Sequence, residues 1–109
     1  MNKSESLNNI SLHFHHVGLV VSDIRKAIKY LSSLGIGPFE NPYRDPPLLE
    51  KLLYGKPTEY SLELSNGKLG EIYLELIQPI EGKSIWKDFL DKNGEGIHHI
   101  GFVVTFPRN

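Results

Sequence analysis

The 109-residue sequence contains no cysteine, which excludes disulfides, thiolate zinc ligands and a thiol nucleophile. It also has almost no net charge: 12 basic against 13 acidic side chains give −1 with histidines neutral. That balance provides no basic field and argues against a nucleic-acid partner. No apolar run approaches the roughly 18–20 residues that span a bilayer, so no membrane partner is expected. The opening MNKSESLNNISL has no apolar stretch ahead of a cleavage site. It does not read as a secretory signal, and the expected compartment is the cytoplasm. What is present is ordinary for a globular protein, with 39% hydrophobic and 23% charged residues in a length suited to one domain. A chain this short buries only about 60–68% of its unfolded surface. Association into a homodimer is therefore expected as a way to bury more.

Residues 1–13 are polar and read as a flexible N-terminal segment. Phe14 to Val21 is a β-branched apolar run and predicts a strand. Ser22 is positioned to cap a helix beginning near Asp23. Ile24, Ala27, Ile28, Leu31 and Leu34 recur at helical spacing, Gly35 suits a left-handed C-terminal cap, and Pro38 blocks continuation. Pro42, Pro46, Pro47 and Pro57 make the next stretch irregular. Within it, Leu48 to Tyr54 reads as either a short helix or a strand, with a strand near Leu52–Tyr54 preferred.

Glu59 to Leu64 alternates, with Tyr60, Leu62 and Leu64 on one face. Asn66-Gly67 is a hairpin signal. Gly70 to Ile77 reads as the returning strand, with Ile72, Leu74 and Leu76 on one face and Pro79 and Gly82 ending it. Ser84 can cap a second helix carrying Ile85, Trp86, Phe89 and Leu90, stopped at Gly94. Ile97 to Thr105 is again strand-like. The fold class is α+β, in the order β-α-(β)-β-β-α-β.

Residues 15–21, HHVGLVV, recur as residues 98–104, HHIGFVV, at an offset of 83. A strand repeated with the same special residues points to a duplicated module. The expected organisation is a first module at 14–82, a linker helix at 83–96 and the opening strand of an incomplete second module at 97–109.

Side chains alternate across a strand. His16 therefore shares a face with Gly18 and Val20, while His15 goes with Val17, Leu19 and Val21. In the second copy His99 and Gly101 lie opposite His98, Ile100, Phe102 and Val104. A histidine followed by a glycine on one face leaves space beside an imidazole, which suits an ion or small ligand. Glu75 is the third signal, because it interrupts the apolar run Ile72–Ile77 on the face opposite Leu74 and Leu76. A carboxylate there is costly unless paired or metal-bound. The candidate metal ligands are thus His16, Glu75 and His99. Imidazole with carboxylate suits zinc, iron, cobalt, nickel or manganese.

His15 and His98 are expected at the core face or its edge, in a structural or supporting role, and His13 lies outside the site. Trp86 and Phe89 read as core. Tyr43, Arg44 and Asp45 read as a surface loop, with a pocket lid as the functional alternative and Arg44 as its contact for an anionic substrate. Gly35-Ile36-Gly37 lacks the setting of a phosphate loop.

At HHVGLVVSDIRKAIKYLSSLGIGPFE, LGEIYLELIQPIEG and FLDKNGEGIHHIGFVV the sequence resembles the vicinal oxygen chelate superfamily. That superfamily includes glyoxalase I, methylmalonyl-CoA epimerase, extradiol dioxygenases and bleomycin-resistance proteins. The pieces LELIQP and GEGIHHIGF are most similar to the epimerase and glyoxalase-like branch. The resemblance implies βαβββ modules whose curved sheets enclose a divalent metal. It places the first-strand ligands at His16 and His99 and the last-strand carboxylate at Glu75.

It further implies an isomerase or lyase that abstracts a proton next to a carbonyl, with a metal-stabilised enediolate. The substrate would be a CoA thioester or a thiol adduct. Glu75 would be a ligand or, if displaced, the base; Glu59 is the candidate for the middle-strand acid. In a symmetric homodimer two copies of His16 and Glu75 would rebuild a two-His, two-Glu site. The alternatives are a non-catalytic small-molecule binder of the bleomycin-resistance type and an inactive truncated module.

Overall fold

A computed structural model of the chain describes residues 10–45 and 51–106. The alternating and apolar runs form strands, and the helical stripe lies across one face of them. In chain order the elements are β1 (Ser11–Val20), α1 (Ile24–Ser33), β2 (Tyr43–Arg44), β3 (Leu52–Leu53), β4 (Lys56–Pro57), β5 (Tyr60–Leu69), β6 (Ile72–Gly82), α2 (Ile85–Asn93) and β7 (Gly96–Thr105). Five strands make one sheet in the order β2-β5-β6-β1-β7, and β3 pairs with β4 in a separate ribbon. β1 runs parallel to β6, while every other neighbouring pair is antiparallel. The fold is α+β, as the element order predicts.

The core lies between α1 and the sheet. Val21, Ile24, Leu74 and Leu76 are buried there, with Val17, Leu19, Ile28 and Phe39 packed against them. Burying four such side chains stabilises the fold by about 1.5–3 kcal/mol each. The opposite face carries Tyr73, Glu75 and Ile77 beside His16, Gly18 and Val20, their partners in the parallel register. Among the described residues no helix is long and apolar enough to cross a membrane.

Several local expectations are corrected. The cap of α1 is Asp23, whose carboxylate accepts the Lys26 N–H at 3.1 Å. Ser22 instead donates its N–H and hydroxyl to Glu95 Oε2, at 2.8 and 3.2 Å. Leu34 leaves the apolar stripe: it is the C-cap and stays 61% exposed. Gly35 does take a left-handed conformation, at φ 89°.

Asn66-Gly67 is no hairpin turn. β5 runs straight through it, with Asn66 opposite Glu75 and Gly67 opposite Leu74, and the chain reverses at Gly70-Glu71. Gly67 is needed for a different reason, since a Cβ there would fall inside the Phe39 ring. Pro79 does not end β6, because a register shift between Ser61 and Leu62 lets the ladder continue to Gly82. Pro46, Pro47 and the start of the ambiguous Leu48–Tyr54 stretch lie outside the described residues. Its end forms β3, which reverses through Tyr54 and Gly55 into β4.

Tyr43 and Arg44 form an edge strand against Leu64 and Glu63 rather than a free loop. Arg44 Nη1 donates to Ser61 Oγ at 3.1 Å. Asp45 accepts the Leu62 N–H at 2.8 Å and pairs with Lys51 at 2.8 Å.

The β1–β7 ladder sets up the site. Val17 faces Ile100, its own equivalent in the repeat, so a local twofold axis passes between them. His16 then faces Gly101, and Gly18 faces His99. The register shifts on either side leave His15 and His98 as the extra, unpaired residues of two β-bulges.

Candidate metal centre

His16, Glu75 and His99 come from β1, β6 and β7, the three adjacent strands of the sheet. Strand parity puts all three on the face away from α1. The two glycines decide how close the imidazoles come. A Cβ on Gly18 would overlap the His99 ring, and a Cβ on Gly101 would overlap the His16 ring. Each copy's glycine therefore makes room for the other copy's histidine. The rings meet edge to face with centroids 5.2 Å apart, and their Nε2 atoms stand 3.2 Å from each other. Glu75 Oε1 lies 3.4 Å from His99 Nε2, with both side chains about a third exposed.

One donor atom from each of the three residues falls within 4.8 Å of the others. A tetrahedral ion with bonds of about 2.0–2.1 Å holds its ligand atoms about 3.3–3.4 Å apart. The His16–His99 and His99–Glu75 spacings of 3.2 and 3.4 Å fit that requirement, and His16 and Glu75 present donors within 4.8 Å of each other. Two nitrogens and a carboxylate oxygen also suit a borderline divalent cation.

Beside this group a cavity of about 300 Å3 is lined by His15, His16, Glu40, Asn66, Tyr73 and Glu75. His15 thus opens onto the site and not the core, because the bulge breaks the alternation on which the sequence expectation rested. Its Nδ1 lies 2.9 Å from Nδ1 of His16, and its ring packs near Tyr73. His98 is displaced in the same way. Trp86 and Phe89 of α2 pack against its ring, and its Nδ1 lies 3.0 Å from Nδ1 of His99. Burial, followed by the His99 charge, holds the His98 pKa below the ordinary 6.5.

Glu40 carries no metal-ligand or catalytic expectation from sequence, yet it lines the cavity. Its N–H donates to Asn66 O at 2.9 Å, and its Oε1 accepts the Asn66 N–H at 3.2 Å. Asn66 sits opposite Glu75 in the ladder, so Glu40 is tied to the strand position facing the site. Tyr43 belongs here too. Burial first, then the charges of Glu40 and Glu75, push its hydroxyl pKa above the ordinary 10.0. No periodicity marks Glu40, which lies between Pro38 and Pro42.

Glu59 is not brought to the group. It precedes β5 at the far end of the hairpin and lines a separate cavity with Tyr60, Ser61, Glu81 and Gly82. Seven residues separate it from Asn66 along the strand, roughly 23 Å at strand rise. A larger open concavity of about 510 Å3 lies between α1 and the start of β7, lined by Leu19, Val21, Ala27, Tyr30 and Leu31 among others. It holds none of the three converging donors, so size does not mark the chemistry in this chain.

Residues 15–106 match the family model described as glyoxalase/bleomycin resistance protein/dioxygenase superfamily. The chain belongs to this superfamily. Its members typically bind a metal, bind small molecules and often dimerise. Among solved structures, a hypothetical protein from Bacillus halodurans C-125 is similar at 27% identity and a TM-score of 0.63. The match covers 84% of this chain and 58% of that one. Methylmalonyl-CoA epimerase from Mycobacterium tuberculosis shares the fold at 24% identity and a TM-score of 0.52, over 81% of this chain and 52% of that one. The chain thus spans a little over half the length of these two solved structures. No curated protein matches the sequence.

Proposed function

We propose that His16, Glu75 and His99 hold a divalent metal ion, and that the chain works as a metal-dependent isomerase or lyase of the glyoxalase and methylmalonyl-CoA epimerase type. The observation that carries this reading is the convergence of two Nε2 atoms and one carboxylate oxygen from three separate strands. Zinc, cobalt, nickel, manganese and iron all suit the donors. When bound, the cation supplies Lewis acidity toward a substrate carbonyl oxygen on which negative charge develops.

The remaining chemistry belongs to the side chains. With Glu75 as a ligand, Glu40 is the other carboxylate among the described residues that line the cavity, and it serves as base. Glu40 removes the proton from the carbon beside the substrate carbonyl, and the electron pair moves onto the carbonyl oxygen. Glu40 then returns the proton to the neighbouring carbon, or keeps it while water protonates the opposite face of the first carbon and Glu40 later releases its proton to solvent. The Asn66 N–H holds Glu40 in place, and the Asn66 side-chain amide donates to the Tyr43 hydroxyl at 3.4 Å, which leaves that hydroxyl's own hydrogen for the charged oxygen.

The similar fold of a methylmalonyl-CoA epimerase makes a 2-acyl CoA thioester the first substrate class to try, with a thiol adduct of a 2-oxoaldehyde second. A homodimer is part of the proposal. Leu12, Phe14, Ile100 and Phe102 on β1 and β7 are all at least 45% exposed in the single chain.

The test is a zinc and cobalt titration, followed by substrate α-proton exchange in D2O read by NMR. One tightly bound ion per chain that is lost in His16→Ala and His99→Ala, together with metal-dependent exchange, is expected. Binding unchanged in both variants would overturn the metal reading. Bound metal without exchange on either substrate class would favour a small-molecule binder of the bleomycin-resistance type.

A further inference from the structure

Four imidazoles stand in a line across the β1–β7 ladder, related by its local twofold axis. Nδ1 of His15 is 2.9 Å from Nδ1 of His16, Nε2 of His16 is 3.2 Å from Nε2 of His99, and Nδ1 of His99 is 3.0 Å from Nδ1 of His98. Neighbouring residues of a regular strand point to opposite faces and cannot make such contacts. The two bulges make them possible, because each bulge falls on the first histidine of its pair.

A neutral imidazole has one N–H and one lone pair. Where two Nδ1 atoms are in contact, one carries the hydrogen and the other accepts it. If His16 and His99 are to offer Nε2 to a cation, each must carry its hydrogen on Nδ1. The acceptors in place for those hydrogens are Nδ1 of His15 and Nδ1 of His98. We infer that His15 and His98 are positioning residues: each accepts the Nδ1–H of the histidine that follows it, and so frees that histidine's Nε2 lone pair for the metal.

The bulge pairs are then two copies of one unit, an acceptor imidazole followed by a ligand imidazole. The acceptors are themselves held, His15 beside Tyr73 and His98 between Trp86 and Phe89. The arrangement also explains why the centre calls for a cation. With both Nδ1 atoms protonated, two Nε2 lone pairs and a Glu75 oxygen face one another at 3.2 and 3.4 Å with no hydrogen between them. An ion that accepts all three lone pairs removes that conflict. Metal-bound histidines generally need such an outer partner to fix tautomer and ring angle, and its loss weakens binding by about 10–100-fold.

This inference rests on the metal reading, so its first test uses the metal-free protein. Two-bond 1H–15N correlation spectra of the imidazoles, recorded well above the histidine titration range, report which nitrogen carries the hydrogen. The expected result is at least one of His16 and His99 as the Nδ1–H tautomer, with the histidine before it as Nε2–H, since without metal a single Nε2–H can bridge the 3.2 Å between His16 and His99. His15→Phe, which keeps a ring beside Tyr73, should return His16 to the Nε2–H form and leave His99 unchanged. His98→Phe should do the converse. Zinc affinity, measured by competition with a chromophoric chelator, should fall about 10–100-fold in either variant. It should recover in His15→Asn, whose amide oxygen can accept the same hydrogen.

Nε2–H tautomers at His16 and His99 in the unmutated protein would overturn the inference without any variant. So would phenylalanine variants with unchanged tautomers and unchanged affinity. If the tautomers follow expectation but the unmutated protein binds no zinc, the metal reading fails while the control of tautomer by the bulge histidines stands.

Discussion

Replacing Gly101 by alanine is the sharpest perturbation of the proposed centre, because it adds one methyl group and removes no ligand. Gly101 has no positive φ, so alanine fits its backbone. On propensity alone the change would stabilise the strand by roughly 0.5–1 kcal/mol. The steric effect is opposite in sign and larger. The added Cβ would stand 2.0 Å from His16 Cε1 and 2.7 Å from its Nε2, where ordinary contact begins near 3.4 Å. The imidazole must therefore retreat by about 1.4 Å at its Cε1, beyond the roughly 0.2 Å that a metal–ligand bond tolerates.

Zinc affinity is expected to fall by about 100-fold or more, since one of three protein ligands leaves bonding range. Overpacking should also cost about 1–3 kcal/mol of stability. At roughly 4–8 °C per kcal/mol the melting temperature drops measurably. Gly96→Ala is the control, because its Cβ would meet only Phe89 Cζ at 4.0 Å. Isothermal titration with zinc and a thermal melt on the three proteins decide the matter. A Gly101→Ala protein that binds zinc as the unmutated chain does would refute the reciprocal glycine–histidine packing.

Other outcomes follow from the same structure. Glu40→Gln should slow substrate proton exchange by about 10²–10⁴-fold while leaving zinc affinity unchanged, because it removes a base and no ligand. Ser84→Ala deletes the cap of α2, whose hydroxyl accepts the Lys87 N–H at 3.0 Å, and should lower stability by about 1 kcal/mol in a thermal melt. Gly67→Ala should destabilise by about 1–3 kcal/mol, since its methyl enters the Phe39 ring.

At Asp45, burial raises the carboxyl pKa, but hydrogen bonds from Lys51 and Leu62, with the Lys51 charge, outweigh it and hold the pKa below the ordinary 3.8. A depressed carboxylate stabilises the fold above its unfolded pKa and loses that contribution as pH falls through the folded value. The stability gap between the unmutated protein and Asp45→Asn should therefore close below about pH 4 in acid denaturation followed by circular dichroism.

The parts of this fold that were legible in the sequence rest on regular periodicity. The stripe of α1 and the alternation of β6 placed Leu74 and Leu76 in the core and Glu75 on the other face. The same parity put His16 and His99 on the face that Glu75 shares, and the strand order brought them together. What the sequence did not reveal depends on breaks in periodicity or on distant chain. Bulges at His15 and His98 reverse the direction expected from alternation, and nothing local announces a bulge. Asn66-Gly67 has the composition of a turn, yet Gly67 is small because Phe39, from a distant segment, lies over it. Glu40 reaches the cavity through backbone pairing with Asn66, an edge contact without a sequence pattern. Asp23 takes the cap from Ser22 because Glu95, far along the chain, engages Ser22.

The most direct measurement is anomalous scattering at the zinc edge from crystals grown with zinc. The expected result is one strong peak per chain within bonding distance of His16 Nε2, His99 Nε2 and a Glu75 oxygen. No peak there, or a peak bound only to other residues, would contradict the proposed centre.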